Sequence, residues 1–341
     1  MKKLLALALA LALALSLAAC GAAPATQGGE SNVPDSGEAA PAAKSDTATV
    51  AVGAVIIARD DVAEEEIYNF VSTIFENQAA IADQHAKGAE LDLAFASSVT
   101  SVPYHPGAAR YFAEKGLDVA EVKAGAGEGA VSNLTFGTGG ETGTYYGFGG
   151  VLASFVSNNN DFTVTAVTSG GSKANIEDMS NGDVQVGFAQ SDVLSYAYHG
   201  ERLFDEAVTG FSVVAALYME QVQIVTTKSS IATVADLAGK TVSIGAVGSG
   251  VYFNAIDVLG AYGLSESDIS PVYQSFGDSA DSLKDGKIDA AFIVAGAPTP
   301  AITDLAAGNN VYLVSLDAEH TDALLASSPF YSAVTIPAST Y

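Results

Sequence analysis

Three stretches of this sequence place runs of small residues where an apolar segment gives way to an amphipathic one. The first, "TFGTGGETGTYYGFGG" (Thr135–Gly150), holds seven glycines and one charge. The second, "TSGGSKAN", spans Thr168–Asn175, and the third, "VGSG", spans Val247–Gly250. Read as strand-to-helix turns, all three leave backbone N–H groups at a helix start, where the helix dipole adds positive potential. Bulky side chains would hold a ligand away from that backbone, whereas glycine and serine let it approach. The chemistry on offer is the binding of an anion. The candidate ligand-binding residues are Thr138, Gly139, Gly140 and Thr142 in the first turn, Ser169, Gly170, Gly171 and Ser172 in the second, and Gly248, Ser249, Gly250 and Val251 in the third. Of Tyr145 and Tyr146, one can face a ligand while the other packs inward, or both can pack in a core; Tyr145 joins the candidates. Gln190 and Ser191, in "FAQSD", emerge at the carboxyl end of an apolar strand, where open α/β sheets bind ligands.

Other chemistries fit less well. A dinucleotide fingerprint needs a third glycine where Thr142 stands, and a phosphate-binding P-loop needs a Gly-Lys-Ser/Thr step that none of the turns has. Ser249 lacks the G-x-S-x-G frame of a nucleophile elbow. His85, His105, His199 and His320 form no H-x-x-x-H pair, so no metal is expected. The three arginines, Arg59, Arg110 and Arg202, offer few choices for a bidentate carboxylate clamp, and Arg59 and Arg110 read as ordinary ion pairs. Asp192 reads as a helix cap. No catalytic residue and no cofactor are expected. One glycine turn alone is equally a tight connection with no ligand; three that all open helices favour a receptor.

The elements that must position these turns alternate along the chain. "TVAVGAVIIA" (Thr49–Ala58) reads as a buried strand, and Val62, Ile67, Phe70, Val71, Ile74 and Ile81 then form a helical stripe. "HPGAARYFAEKG" (His105–Gly116) reads as a shorter helix with Pro near its start and Gly at its end. Asp118–Asn133 loses pattern and reads as a linker. The alternation restarts at "LTFGT" and runs to "VYLVSL" (Val311–Leu316), with a long, mainly apolar stretch at Phe211–Thr227 that reads as two strands or one long bent one. Strands interleaved with helices predict α/β layers with mostly parallel sheets.

Before the folded part, Lys2 and Lys3, an apolar run Leu4–Leu17 and the segment Leu17-Ala18-Ala19-Cys20-Gly21 resemble a bacterial lipoprotein signal, with Cys20 as the lipidated residue. Cys20 is the only cysteine, so no internal disulfide is possible. Residues 21–46 read as a flexible tether. Removing Lys2 and Lys3 from 14 basic residues leaves 12 against 39 acidic ones. A surface that acidic repels phosphate backbones and argues against nucleic acid as a partner.

"GTGGETGTYYGFGG", "SGGSKANIEDMSNGDVQVGFAQSD", "VADLAGKTVSIGAVGSGV", "LKDGKIDAAFIVAGAP" and "FYSAVTIPASTY" resemble the TAXI-type solute receptors of TRAP transporters, over almost all of Asn133–Tyr341. Val251 departs from the threonine usual after Gly-Ser-Gly, and "GFGG" replaces a segment that often carries proline and leucine. The family's C-terminal stretch is similar to Thr47–Gly116 here, so the chain looks circularly permuted, with 118–133 as the joint. The resemblance implies an α/β, two-lobed periplasmic-binding-protein fold of type II with a hinge and an interlobe cleft. Lobe one would comprise 47–117 and 134–219 and lobe two 220–316, with a first hinge crossing near Leu217–Gln223. A return crossing is expected after Val311, in 317–341. The Gly139 and Gly248 loops would face each other across the cleft. The implied function is an extracytoplasmic, lipid-anchored receptor that passes a small carboxylate, such as glutamate or 2-oxoglutarate, to TRAP membrane permease subunits. Alternatives are an enzyme reusing the fold and a binding module feeding a membrane sensor.

Overall fold

The computed structural model describes residues 45–129 and 133–341. The leader, Cys20 and nearly all of the tether lie outside the described residues. The chain enters on β1 (Thr47–Arg59), a thirteen-residue strand buried along almost its whole length. Its run of Val, Ile and Ala suits a strand covered on both faces. Helices α1 (Glu64–Glu76), α2 (Gln78–Ala82), α3 (Leu93–Ala96) and α4 (Pro106–Glu114) follow. Glu64, Glu65 and Glu66 fill the first turn of α1, where acidic groups meet the positive end of the dipole. His105 caps α4, accepting from the Gly107 amide, and its Nε2 bonds the carbonyl of Val62 at 3.0 Å.

Next come β2 (Asn133–Gly137), α5 (Thr144–Asn159), β3 (Thr163–Val167), α6 (Ser172–Asn181), β4 (Val186–Gln190) and α7 (Ser191–His199). The glycines that end α6 and α7, Gly182 and Gly200, both adopt the left-handed conformation that closes a helix. Strand β5 (Phe211–Thr226) then leads into β6 (Thr241–Ser243), α8 (Val251–Ala261), β7 (Ser270–Val272), α9 (Phe276–Lys284) and β8 (Ala290–Ala295). The chain finishes with α10 (Pro300–Ala306), β9 (Tyr312–Leu313), α11 (Ala318–Ser327) and β10 (Ser332–Ile336).

The sheet order is β3-β2-β4-β1-β5-β8-β6-β7, with β10 added to β1 and β9 to β5. Strands β2, β3 and β4 are mutually parallel and carry lobe one; β6, β7 and β8 are parallel and carry lobe two. The antiparallel pair β1 and β5 runs through both lobes, so these two strands are the hinge. The register of that pair slips between Ala54 and Val55 and again between Ile56 and Ile57, which bends it. One apolar core fills lobe one around Phe70, Phe136, Phe148 and Phe188. Two others cover the faces of the lobe-two sheet, around Phe292 and Leu259 on one side and Leu283 and Ile302 on the other.

The crossing near Leu217–Gln223 lies within β5. The return crossing expected after Val311 is instead β1, at the beginning of the fold. The strands after Val311 stay with lobe two: β10 pairs with Thr47–Ala51, and the Tyr341 hydroxyl donates to Gln223. The segment expected as a loose joint is docked where it is described. The Tyr104 amide donates to the Glu121 carbonyl and the Lys123 amide to the Tyr104 carbonyl, both at 2.8 Å, and Gly127 is bonded between Asp60 and Glu64. Pairing with backbone needs no apolar period, so the sequence carries no sign of it.

Candidate functional site

The two lobes repeat one topology. In each, a strand turns into a helix, a second strand forms on one side of the first, and a third forms on the other side. The orders β3-β2-β4 and β7-β6-β8 are the same when read from the outer edge. The chain therefore reverses direction across the sheet beside β2 in one lobe and beside β6 in the other. Such switch points leave a crevice at the carboxyl ends of the strands, and here the two crevices open onto one cleft.

That cleft has a volume of about 590 Å³, its open mouth included. Four helix starts border it: Gly143–Tyr145 of α5, Gly171 and Ser172 of α6, Gly250 and Val251 of α8, and Ser275 and Phe276 of α9. Eleven of the residues expected from sequence line it: Gly139, Gly140, Tyr145, Ser169, Gly170, Gly171, Ser172, Gln190, Ser249, Gly250 and Val251. Tyr145 stacks its ring on Phe188, with centroids 4.4 Å apart, while Tyr146 is exposed.

The other four sit elsewhere. Thr138 is fully buried beneath the cleft and donates to the Val167 carbonyl at 2.6 Å, a strand-to-strand tie. Thr142 lies at the rim, where its carbonyl accepts from the Ala301 amide at 3.2 Å. Ser191 braces the hinge, accepting from the Gly53 amide at 3.0 Å. Gly248 does not face Gly139. Its carbonyl accepts from Ala174 in the first turn of α6 at 3.0 Å, and its φ of +85° is a left-handed turn that favours glycine. That contact and the Ser169 hydroxyl, which accepts from the Gly171 amide, occupy two amides at the α6 start. Asp192, expected as a cap, lies in the first turn of α7 after Gln190.

Sequence reasoning missed Glu220, the α9 start and the floor residues Val294 and Ala295. Glu220 had a signal: it is the only charged residue in the sixteen of β5. A lone acid in an apolar strand is seldom buried without a task. Here it is 2% exposed and lines the cleft, and the Tyr145 hydroxyl donates to its Oε2 at 2.8 Å. Burial pushes its carboxyl up to about 8. The α9 start was legible only as the lobe-two counterpart of the Ser169–Ser172 turn, since "VYQSFG" holds a single glycine, Gly277, and that inside the helix.

A polar chain joins the lobes behind the cleft. Gln190 Nε2 donates to Asn254 Oδ1 at 3.1 Å, and Asn254 Nδ2 donates to Asp192 Oδ2 at 2.9 Å and to the Tyr331 hydroxyl at 3.0 Å. The Tyr331 hydroxyl donates in turn to Asp257 Oδ2 at 2.9 Å, and Asp257 is also bonded by Arg202. Arg202 lies over the rings of Tyr196 and Phe253. Since Asn254 spends its amide N–H groups on Asp192 and Tyr331, Gln190 must present its own N–H to Asn254. Gln190 Oε1 is thereby left as a buried acceptor without a protein partner. Burial pushes the Asp192 carboxyl up to about 7. Lys, Arg and His are absent from the cleft lining. Among the described residues no cluster of three or more His, Cys, Asp or Glu could hold a metal ion.

Fold and cleft together define a two-lobed α/β protein of the periplasmic-binding type, hinged on two strands. The chain belongs to the NMT1-like family, whose profile matches residues 32–116 and 136–341. Solved structures similar to it include the alkanesulfonate-binding protein of Xanthomonas axonopodis pv. citri bound to MOPS, 22% identical over 54% of this chain and 61% of that one, TM-score 0.38. The aliphatic sulphonate binding protein of Escherichia coli is 18% identical over 54% and 60%, TM-score 0.35. An amino acid ABC transporter substrate-binding protein of Streptococcus pneumoniae bound to L-arginine is 15% identical over 55% and 76%, TM-score 0.39. The match spans about 60% of the length of the two sulfonate-binding proteins.

Proposed function

We propose that this protein is an extracytoplasmic solute receptor that captures a small organic carboxylate in the interlobe cleft. The observation that carries the reading is the convergence of four helix starts, two from each lobe, on one cleft at facing switch points. Backbone N–H groups there suit a carboxylate without a basic side chain. Contacts from both lobes make binding and closure one event, and closure is what a membrane partner can read. Following the sequence resemblance, that partner is the TRAP membrane permease subunits, the receptor is of TAXI type, and the lipid at Cys20 holds it at the membrane. Glutamate and 2-oxoglutarate are representative ligands. The family match breaks at 117–135, around the expected joint; the permuted order itself rests on the sequence resemblance. No step in this role is enzymatic.

Calorimetric titration with glutamate, 2-oxoglutarate and related carboxylates tests the reading. One ligand per chain is expected, with affinity weakened in Gly139→Val, whose Cβ would already lie 3.4 Å from Tyr145 Cβ in the cleft wall. Binding unaltered by that change would remove the α5 start from the site. Fatty-acid labelling in a bacterial host, abolished by Cys20→Ser, tests the anchor.

A further inference from the structure

Glu220 brings a carboxyl group to a cleft whose lining holds no Lys, Arg or His. It is 2% exposed. The Tyr145 hydroxyl donates to its Oε2, and among the described residues no donor reaches its Oε1. An ionised carboxylate there would rest on one hydrogen bond from a neutral phenol in a water-poor space, too little to hold the charge. Filling the site makes this worse. A ligand carboxylate at the helix starts adds a second negative charge to the same cleft. Two carboxyl groups that share a site cannot both ionise; one keeps a proton and donates it to the other. Oε1 of Glu220 is the atom left for that bond.

Resting on the carboxylate-receptor reading above, we propose that Glu220 enters the complex as a neutral acid and donates its proton, from Oε1, to the ligand carboxylate held at the helix starts. The side chain then completes the donor set that the backbone amides begin, and it makes the receptor sensitive to pH. The charged and titratable groups acting on Glu220 are Tyr145 from α5, Lys87 from the turn before α3 and Asp192 from α7, with Tyr218 close by on the same strand. Strand β1 sets the apolar Val52 opposite it. Lys87, the one cation among these groups, is committed to Glu90 at 2.6 Å and lies over the Tyr218 ring. Burial outweighs the Tyr145 bond and Lys87, and pushes the Glu220 carboxyl up to about 8. Below that value the proton is in place before the ligand arrives, and binding exchanges none. Above it the free receptor has given the proton up. Each binding event must then take one proton from solvent, and affinity falls as pH rises.

The experiment is calorimetric titration of the full protein with glutamate, 2-oxoglutarate and related carboxylates between about pH 6.5 and 9, at each pH in two buffers of different ionisation enthalpy. Affinity should be level near pH 7 and should weaken above about pH 8, approaching ten-fold per pH unit, as proton uptake climbs from near none towards one per ligand bound. Glu220→Gln keeps a neutral donor in the same place. It should bind within a few-fold of the unaltered protein at pH 7, stay level towards pH 9 and take up no proton. Tyr145→Phe removes a bond that favours the ionised acid, so its alkaline fall should begin at higher pH. The unaltered protein and Tyr145→Phe decide the matter if the Gln variant does not fold. Affinity that is level or rises across the range, a proton released on binding, or an alkaline fall that survives Glu220→Gln overturns the inference and leaves the carboxylate reading standing. No binding of any carboxylate at any pH overturns the carboxylate reading and the inference with it.

Discussion

Gly250→Ala should hold the lobes apart. Gly250 opens α8 with φ −74° and ψ −19°, so alanine meets no backbone strain there. Its added carbon would lie 1.7 Å from Gln190 Oε1, 2.6 Å from Gln190 Cδ and 3.0 Å from Ser172 Oγ. Every one of those atoms belongs to the opposite lobe. Overpacking a closed interface costs about 1–3 kcal/mol. If Gln190 swings aside instead, its bond to Asn254 is lost, at about 1 kcal/mol, and its side chain is driven into the cleft. Either route sets a penalty on the closed form of about 1–3 kcal/mol, or about a 5- to 150-fold loss of affinity. Titration with the tightest member of the carboxylate set measures it, and small-angle scattering reports whether the molecule becomes less compact. Gly260→Ala, on the same helix with nothing within 4 Å of the new carbon, is the control. It should stabilise the helix by up to about 1 kcal/mol and leave binding alone. Full affinity and an unchanged scattering profile in Gly250→Ala would show that the ligand does not require this closed arrangement.

Four further outcomes follow from other contacts in the fold. Glu220 and Asp192 are buried carboxyl groups raised to about 8 and about 7, so the folded chain holds protons that the unfolded chain gives up near pH 4. Their contribution is present at low pH and fades as pH rises through those values. Between pH 6.5 and 8 the ligand-free protein should lose about 2 kcal/mol of stability, visible in thermal melts and flattened by Glu220→Gln with Asp192→Asn. His105, lowered to about 4 by burial, acts in the other direction: stability falls as pH drops from about 6.5 towards 4, and melts of His105→Gln should lack that limb. Arg202→Ala and Asp257→Asn should each weaken ligand binding only a few-fold, because the pair is partly exposed. The double variant should be no worse than the poorer single one, and additive losses would refute the interlobe pairing. Gly107→Ala should cost about 2 kcal/mol or more of stability with the dissociation constant unchanged, because its new carbon would sit 2.1 Å from the Glu64 carbonyl oxygen where α4 crosses α1.

The sequence by itself determined the local grammar. Apolar period marked β1, β4, β5 and β8, and small residues at strand ends marked three of the four helix starts. Eleven of the fifteen expected site residues line the cleft, and eight of those are glycine or serine, whose presence at a strand end is a local demand of close backbone approach, readable from composition. Only the tertiary structure decided what is set by distance in the chain. Gly248 carries the same local signature as Gly139, yet the packing of lobe two against α6 turns it to Ala174. The start of α9 enters the cleft through the repeated topology; its own glycine, Gly277, does not line the cleft. Glu220 stands out in β5 as a lone charge, but whether it faces water, a cation or a ligand depends on Tyr145, which is 75 residues earlier in the chain. The hinge is the clearest case. That β1 supplies the second crossing follows from strand pairing with β5 and β10, and hydrogen bonds between strands far apart in sequence leave no mark on the residues between them.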